Sequence, residues 1–181
     1  TVSAIVTPIM DEFQEEIGWP SDVAIFDNDA MLLVETSRKA GPMMLNRHPG
    51  YRAPILATSL GQVYLAFGAH EEREAVLIQE SEKPDPWNDI ARDTSKAITF
   101  FDDIRKRGYA TMHPDYSRIE YRHSMTSLGV PIMSDNKVFA SINVLYLKKA
   151  LTQEQAVKTM LKPLQATARK IAQELERRSE K

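Results

Sequence analysis

The sequence predicts a mixed α/β domain in which a largely antiparallel sheet is flanked by helices. Three observations support this prediction. The chain begins and ends with helical periodicity, two pairs of apolar runs are each joined by a short Asn/Asp turn, and helical segments separate the two pairs. Because no helix-sized crossover lies within a pair, the paired strands are expected to be antiparallel.

The first and last segments are predicted to be long amphipathic helices. Apolar residues recur at steps of three and four from Val2 to Ile17, and the sequence Gly18-Trp19-Pro20 ends that helix. Near the other end, Thr152 and Gln155 have the spacing of a capping box. We expect both helices to pack on the same sheet face or on a neighbouring subunit; the simpler alternative is that they only close the core.

Between these helices the sequence predicts two hairpins separated by a helical middle. The hairpins are expected at residues 22–36, around Asp27-Asn28-Asp29, and at residues 127–147, around the turn 134–137. Helices are expected at residues 60–69, 71–79 and 87–107, with Gly108 as the final stop. The sequence His113-Pro114-Asp115 is predicted to be a turn, because proline fixes its backbone.

The composition indicates one ordinary globular domain. The 181 residues include 43% hydrophobic residues and carry a formal net charge of −2, which argues against a nucleic-acid surface on this fold. No cysteine is present, and no apolar run reaches the ~20 residues of a membrane helix. We therefore expect a cytoplasmic protein without a membrane partner. The chain starts at Thr1 within an amphipathic pattern, so a further segment is expected upstream.

Sequence patterns for catalysis are missing. The four histidines include no His-x-x-x-His pair, and Ser59 does not lie in a Gly-x-Ser-x-Gly motif. The seven glycines are scattered singly, so no phosphate-binding loop is present. We expect neither an enzyme nor a bound metal or cofactor.

The helix start within residues 52–67 offers an anion site. An extended apolar segment runs into a polar turn and then directly into a helix. The first N–H groups of a helix have no acceptor within it and lie at the positive end of its dipole. A carboxylate is therefore expected at the N–H groups of Ser59, Leu60 and Gly61. The simpler alternative is a capped helix start, with Thr58 or Ser59 as the N-cap.

Arg52 is a candidate partner for the same carboxylate. It lies in a loop that also contains Arg47, His48 and Tyr51, and a guanidinium binds a carboxylate through two parallel hydrogen bonds. The alternative for Arg52 is a solvated position in the loop.

The last predicted strand is mostly apolar on both faces and is therefore expected to be covered on both sides. Alternation places Phe139, Ser141, Asn143, Leu145 and Leu147 on one face and Val138, Ala140, Ile142, Val144 and Tyr146 on the other. The preceding strand presents His123, Met125 and Ser127 on one face. Polar groups among apolar ones on adjacent strands are typical of a ligand cavity. Alternatively, Asn143 and Ser127 bond each other or the backbone.

Three motifs indicate a family. They are APILATSLGQ at residues 53–62, IRKRGYA at residues 104–110, and LGVPI with FASINV at residues 128–132 and 139–144. In this order they resemble the C-terminal effector-binding domain of IclR-type transcriptional regulators. Two further stretches, WPSDV at residues 19–23 and DAM at residues 29–31, are most similar to activators of hydroxyphenylpropionate catabolism.

The resemblance implies a GAF-like or profilin-like domain over residues 1–181, which binds a small organic acid and forms a homodimer or homotetramer. A winged helix-turn-helix domain, absent from this chain, would precede it and provide the contact with DNA. The family's ligand-binding positions match Ser59 and Leu60 through their backbone groups, and Met125, Ser127, Asn143 and Leu145 through their side chains.

Three departures from the family pattern qualify this inference. Gln62 replaces the usual lysine, and residues 111–120 replace an acidic stretch, so the family's acidic ligand contact is not transferred. Leu145 occupies a position that is polar in members binding two- or three-carbon acids. The resemblance therefore implies a larger, partly apolar effector.

The main hypothesis is a sensor domain whose aromatic acid effector modulates transcription of a catabolic operon. Ser127 and Asn143 would orient the acid, while Met125 and Leu145 would contact its ring. One alternative is a structural dimerisation domain with a collapsed interior. The other is an enzyme in which His123 or His113 acts as a general base on a bound acid.

Overall fold

The computed structural model describes residues 2–37 and 47–179. The helices are α1 (Val2–Ile17), α2 (Ser59–Phe67), α3 (His70–Ser81), α4 (Thr94–Arg107), α5 (Pro114–Tyr121) and α6 (Gln153–Ser179), with a 3-10 helix at Pro86–Arg92. The strands are β1 (Ser21–Asp27), β2 (Ala30–Thr36), β3 (Arg52–Pro54), β4 (Ala110–Thr111), β5 (Met125–Ser134) and β6 (Lys137–Leu147). They form one six-stranded sheet in the order β3-β2-β1-β6-β5-β4, and every recorded pairing is antiparallel. The predicted fold class is confirmed.

Helices α1 and α6 pack together on one face of the sheet. Phe13 of α1, Leu164 and Ile171 of α6, and Ile142 and Val144 of β6 belong to one buried apolar cluster. This arrangement confirms that the two terminal helices share a sheet face, as their apolar stripes predict.

The capping box at the start of α6 forms as predicted. The Thr152 N–H donates to Oε1 of Gln155 over 2.9 Å, and the Gln155 N–H donates to Oγ1 of Thr152 over 3.1 Å. Two backbone donors that would otherwise lack partners are satisfied in this way.

The opposite face of the sheet is covered by α2 to α5 and the 3-10 helix. A second buried cluster joins Leu60 and Val63 of α2, Phe101 of α4 and Tyr116 of α5 to sheet residues such as Leu145. Strand β6 is therefore covered on both faces, as its two apolar faces predict.

Both hairpins are confirmed, including their turns. Asn28, Asp135 and Asn136 have φ of 61°, 52° and 61°, in the left-handed region that Asn and Asp tolerate. Before Ala140, however, the predicted alternation of β6 fails. The register moves from Ile132–Ala140 to Met133–Val138, so that Phe139 is skipped as a β-bulge.

This bulge exchanges the faces of the two residues before Ala140. Val138 packs against the cluster that contains α2, whereas Phe139 is 42% exposed. The sequence analysis placed Phe139 on the same face as Asn143 and Leu145, and Val138 on the other face, so both assignments are wrong.

The predicted turn at residues 113–115 is the start of α5. The Nδ1 atom of His113 accepts the Asp115 N–H over 3.0 Å, so His113 is the N-cap, and Pro114 follows at the first helical position. Arg122 and His123 then take left-handed backbone conformations, with φ of 51° and 64°. Strand β5 begins only at Met125, so the prediction that His123 belongs to this strand is wrong.

The predicted helix 87–107 is divided in two. A 3-10 helix ends at Arg92, and α4 starts after Asp93, whose side chain caps it by accepting the Lys96 N–H. Gly108 ends α4 in the left-handed region, with φ of 87°, as predicted.

Candidate functional site

A small cavity lies between the sheet and helices α2 and α5. Its volume is about 30 Å³. It is lined by Asp22, Leu33, Arg47, Tyr51, Ala53, Thr58, Leu60, Met112, Tyr116, Tyr121, Ser127, Asn143 and Leu145. A cavity of roughly 150 Å³ is needed to hold benzene, so this one accepts water but no aromatic ring unless its walls move.

A buried ion pair forms the polar side of the cavity. Nε of Arg47 donates to Oδ1 of Asp22 over 3.0 Å, and Nη2 of Arg47 lies 2.7 Å from the same oxygen. Nη2 also donates to the carbonyl oxygen of Ser21 over 2.9 Å. The side chains of Arg47 and Asp22 are only 2% and 4% exposed, so the charges balance each other away from solvent.

Asn143 holds Asp22 in place from the neighbouring strand. Its Oδ1 accepts the Asp22 N–H over 2.7 Å, and its Nδ2 donates to Oδ2 of Asp22 over 3.2 Å. Strands β1 and β6 pair Asp22 with Asn143 directly, which brings the two side chains together. Asn143 is therefore satisfied within the protein and orients the carboxylate that binds Arg47.

One nitrogen of the Arg47 guanidinium has no partner in this network. Nη1 of Arg47 is buried and has no hydrogen-bond acceptor among the described residues. Leaving a buried charged donor unpaired costs about 1–3 kcal/mol or more. An acceptor atom entering the cavity would remove that cost, so the arrangement is suited to binding an anionic or carbonyl oxygen.

The start of α2 forms the neighbouring wall. Thr58 is the N-cap, and its Oγ1 accepts the Gly61 N–H over 3.2 Å. The N–H groups of Ser59 and Leu60, in the first turn, have no acceptor within the helix. Both sequence-based alternatives therefore hold in part. The Gly61 N–H is bonded by the Thr58 cap, and the N–H groups of Ser59 and Leu60 remain as donors for an anion.

Gly61 serves close packing. A Cβ atom added at this position would lie 1.9 Å from the carbonyl oxygen of Ile55. Only glycine allows α2 to approach the preceding segment so closely. The prediction that the Gly61 N–H is a free ligand donor is not supported by this geometry.

Three tyrosines complete the cavity wall. The hydroxyl oxygens of Tyr51 and Tyr116 are 3.0 Å apart, and the rings of Trp87 and Tyr121 contact that of Tyr116 edge-on. Burial raises the pKa of Tyr116, and the hydrogen bond with Tyr51 raises it further. Burial also raises the pKa of Tyr121, with a further contribution from the Asp22 carboxylate. Both phenols therefore stay protonated near neutral pH.

Four of the predicted site residues line the cavity, namely Leu60, Ser127, Asn143 and Leu145. Ser59 lies behind them, since its Oγ is 2.7 Å from Oγ of Ser127. Met125 is buried in the surrounding apolar cluster and is not among the lining residues. The structure thus brings together the strand residues and the helix start.

Arg52 and His123 do not reach the cavity. The side chain of Arg52 is 44% exposed, and its guanidinium pairs with Asp27 and Asp29 near the first hairpin turn. His123 is exposed in the connection between α5 and β5. The solvated alternative for Arg52 therefore describes its position better.

The sequence analysis missed the ion pair and most of the aromatic wall. Asp22, Met112, Tyr116 and Tyr121 were not candidates, and Arg47 and Tyr51 were noted only as neighbours of Arg52. The clustering of Arg47 and Tyr51 with Arg52 in one short loop was the available signal.

Within the described ranges, no group of three or more His, Asp or Glu side chains is arranged to hold a metal. None of the described helices combines the length and apolar character needed to cross a membrane.

Comparison with known proteins identifies the relatives of this chain. Residues 1–173 match a family described as the bacterial transcriptional regulator IclR C-terminal domain. The structure of IclR from Thermotoga maritima is 21% identical, with a TM-score of 0.77 over 97% of this chain and 68% of that one. The C-terminal domain of KdgR from E. coli is 18% identical, with a TM-score of 0.73 over 96% of this chain and 97% of that one.

A third similar structure contains a ligand. It is a double mutant of the PobR inducer-binding domain from Acinetobacter in complex with 3-hydroxybenzoic acid. It is 18% identical to this chain, with a TM-score of 0.75 over 94% of this chain and 97% of that one. At these identities the three structures show a common fold.

Proposed function

The chain belongs to the family of IclR C-terminal domains of bacterial transcriptional regulators, and from this premise we propose that its cavity binds the carboxylate of a small aromatic acid. Binding of this effector would modulate transcription of a catabolic operon. The observation that carries the proposal is the unpartnered Nη1 of Arg47 in the cavity wall.

The acid group has a chemically matched position. A carboxylate oxygen would accept a hydrogen bond from Nη1 of Arg47, and the N–H groups of Ser59 and Leu60 offer further donors at the positive end of α2. Asp22 already neutralises part of the guanidinium charge. The site is therefore suited to one carboxylate and not to a multiply charged anion.

The remaining lining favours an aromatic body. Leu33, Leu60, Met112 and Leu145 supply apolar contacts, and tyrosine rings supply stacking surfaces. Because the cavity measures about 30 Å³, the aromatic ring would enter only as these side chains move outward. The related PobR domain with bound 3-hydroxybenzoic acid, together with the similarity of residues 19–23 to hydroxyphenylpropionate activators, supports this ligand class.

The whole regulator would act as a cytoplasmic homodimer or homotetramer. DNA contact would come from a winged helix-turn-helix domain outside this chain, because the net charge of −2 is unsuited to a DNA surface here. The domain described here would then contribute effector binding and subunit contacts.

Isothermal titration calorimetry with benzoate, hydroxybenzoates and phenylpropionates tests the proposal. At least one aromatic acid is expected to bind more tightly than millimolar in the wild type. The Arg47→Met variant is expected to lose this binding, whereas Arg52→Met should retain it. If a small keto acid binds and no aromatic acid does, the aromatic assignment is wrong.

A structural dimerisation domain is the second candidate, and two observations favour it. The cavity is small, and both polar side-chain atoms of Asn143 already bond Asp22. A purely structural interior, however, gains nothing from a buried guanidinium nitrogen without an acceptor. An enzyme is less well supported, since the imidazole of His113 caps α5, His123 is exposed, and neither residue lines the cavity.

A further inference from the structure

We infer that the paired hydroxyls of Tyr51 and Tyr116 recognise a hydroxyl group on the aromatic ring of the effector, so that the domain discriminates hydroxylated from unsubstituted aromatic acids. This inference rests on the proposed function and adds the residues that would determine specificity.

The hydrogen-bonding capacity of the pair supports the inference. The two hydroxyl oxygens are 3.0 Å apart, so one phenol donates to the other. A phenol has one donor and accepts as well, so the accepting tyrosine keeps its own O–H free. The described part of the chain supplies no further hydrogen-bond partner to either hydroxyl. Both side chains line the cavity, which leaves this spare donor and its lone pairs available to a ligand there.

The pair is also held in a fixed orientation. Tyr116 is 2% exposed, and its ring meets Trp87 edge-on at 5.4 Å and Tyr121 edge-on at 6.1 Å between centroids. Fixing the ring by packing means that little entropy is lost when its hydroxyl bonds a ligand. The fixed orientation of the hydroxyls is therefore suited to distinguishing ligands that carry a ring hydroxyl from those that lack one.

A ring hydroxyl matches this pair better than a carboxylate does. Burial and the bond to Tyr51 raise the pKa of Tyr116, so its hydroxyl stays protonated and can both donate and accept. A ligand hydroxyl uses both capacities, whereas a carboxylate only accepts. The cationic donor of the cavity, Arg47, remains for the acid group.

The expected discrimination follows from the cost of unpaired groups. An unsubstituted ring placed against the pair would shield the spare O–H from water without offering a partner. Sites that bond a ligand hydroxyl reject analogues that lack it, and a single neutral hydrogen bond changes affinity by roughly ten-fold. We therefore expect a preference of that order for the hydroxylated acid.

Calorimetric titration of matched ligand pairs tests the inference. The pairs are 3-hydroxybenzoate against benzoate, and 3-(3-hydroxyphenyl)propionate against 3-phenylpropionate. Wild type is expected to bind the hydroxylated member of at least one pair roughly ten-fold more tightly. Tyr116→Phe and Tyr51→Phe should each reduce that preference to about two-fold or less, by weakening binding of the hydroxylated acid only.

Tyr146→Phe provides the matched control. Tyr146 is also buried, at 1% exposed, but it belongs to the cluster on the opposite sheet face. This variant should keep the wild-type preference. Thermal unfolding of all three variants checks that each is folded before titration.

The outcomes separate this inference from the proposed function. If acids bind without preference for a hydroxyl, the role of the tyrosine pair is overturned while the proposed function stands. If Tyr116→Phe weakens both members of a pair equally, the hydroxyls contact the acid group or the ring, and the inference is again overturned. If no aromatic acid binds to wild type, both are overturned.

Discussion

The two faces of the sheet bury different kinds of side chain. Against α1 and α6, residues such as Phe13, Ile142 and Leu164 form an apolar cluster. Against α2 to α5, the protein buries the ion pair of Asp22 and Arg47 at the margin of a second apolar cluster. The first face is mainly apolar and also buries the carboxylate of Glu35, which accepts hydrogen bonds from Ser3 and Thr7 of α1, whereas the second face buries a complete ion pair.

This difference indicates where stability and ligand response are located. Apolar burial stabilises a fold at about 25 cal/mol per Å². A buried ion pair, in contrast, is often no better for stability than well-packed apolar residues of similar volume. Retaining such a pair, with one nitrogen unpartnered, is consistent with a binding role for the second face.

Removing Arg47 is expected to have the largest effect. Arg47→Met keeps an apolar stem but leaves the Asp22 carboxylate buried without its partner. Breaking a buried pair in this way costs about 3–5 kcal/mol, so the free energy of unfolding in urea should fall by that amount. Aromatic acid binding should be lost at the same time.

Arg52→Met is the matched control for this comparison. Arg52 also pairs with aspartates, but its side chain is 44% exposed, and exposed ion pairs contribute only about 0–1 kcal/mol. The double variant Asp22→Asn with Arg47→Met should be more stable than Arg47→Met alone, because no unpaired charge remains buried. Equal stability of Arg47→Met and Arg52→Met would contradict the distinction between the two faces.

A core truncation on the first face should separate stability from binding. Leu164 of α6 is fully buried among apolar residues. Leu164→Ala is expected to reduce the free energy of unfolding by about 2–5 kcal/mol, through lost contacts and the cavity left behind. Acid affinity, measured by calorimetry well below the unfolding temperature, should stay within about two-fold of wild type, because no contact with the ligand is removed. Losing even one hydrogen bond or methylene contact would change the affinity by more than that. A large loss of affinity would mean that the two faces are coupled.

A polar substitution in the cavity should change ligand affinity directly. Leu145→Ser removes apolar contact worth about 1–2 kcal/mol and places a hydroxyl in an apolar wall. Affinity for an aromatic acid should fall roughly ten-fold or more, while a small polar acid should bind better. Leu147→Ser is the control, because Leu147 lies on the same strand but is 36% exposed. An unchanged ligand preference in Leu145→Ser would show that the aromatic body does not contact this position.

Local sequence patterns were sufficient to predict the first face. The stripe of α1, the capping box of α6 and the Asn/Asp turns depend on residues within a few positions of one another. Such interactions are readable from periodicity and turn chemistry. Helix α5 was missed because it is only eight residues long and begins with His113-Pro114, a pattern that also fits a turn.

The second face depends on contacts that sequence spacing does not distinguish. Arg47 lies 25 residues from Asp22, and Arg52 lies 25 residues from Asp27. Asp22 pairs with Asn143 in the middle of the sheet, whereas Asp27 ends β1 beside the hairpin turn. The position of the paired aspartate in the sheet therefore decides which arginine is buried. Arg47 pairs with Asp22 at the cavity, whereas Arg52 pairs with Asp27 at the surface.

The smallest expected effect is a pH dependence at the edge of the second face. His113 caps α5, the helix that carries Tyr116 and Tyr121 into the cavity wall. Burial lowers the pKa of His113 below its ordinary value of 6.5, against the opposing influence of Asp115 and Asp89. The unfolded chain therefore binds more protons at mildly acid pH, and stability should fall as the pH drops below 6.5 until the lower folded pKa is passed.

Protonation at Nδ1 would also remove the acceptor of the Asp115 N–H, which loosens the first turn of α5. Urea unfolding between pH 7.5 and 5.5 measures this loss, and His113→Asn, which keeps a capping side chain without a titrating ring, should reduce it. If the variant shows the same pH dependence as wild type, the titration belongs to other groups and the cap of α5 does not respond to protons.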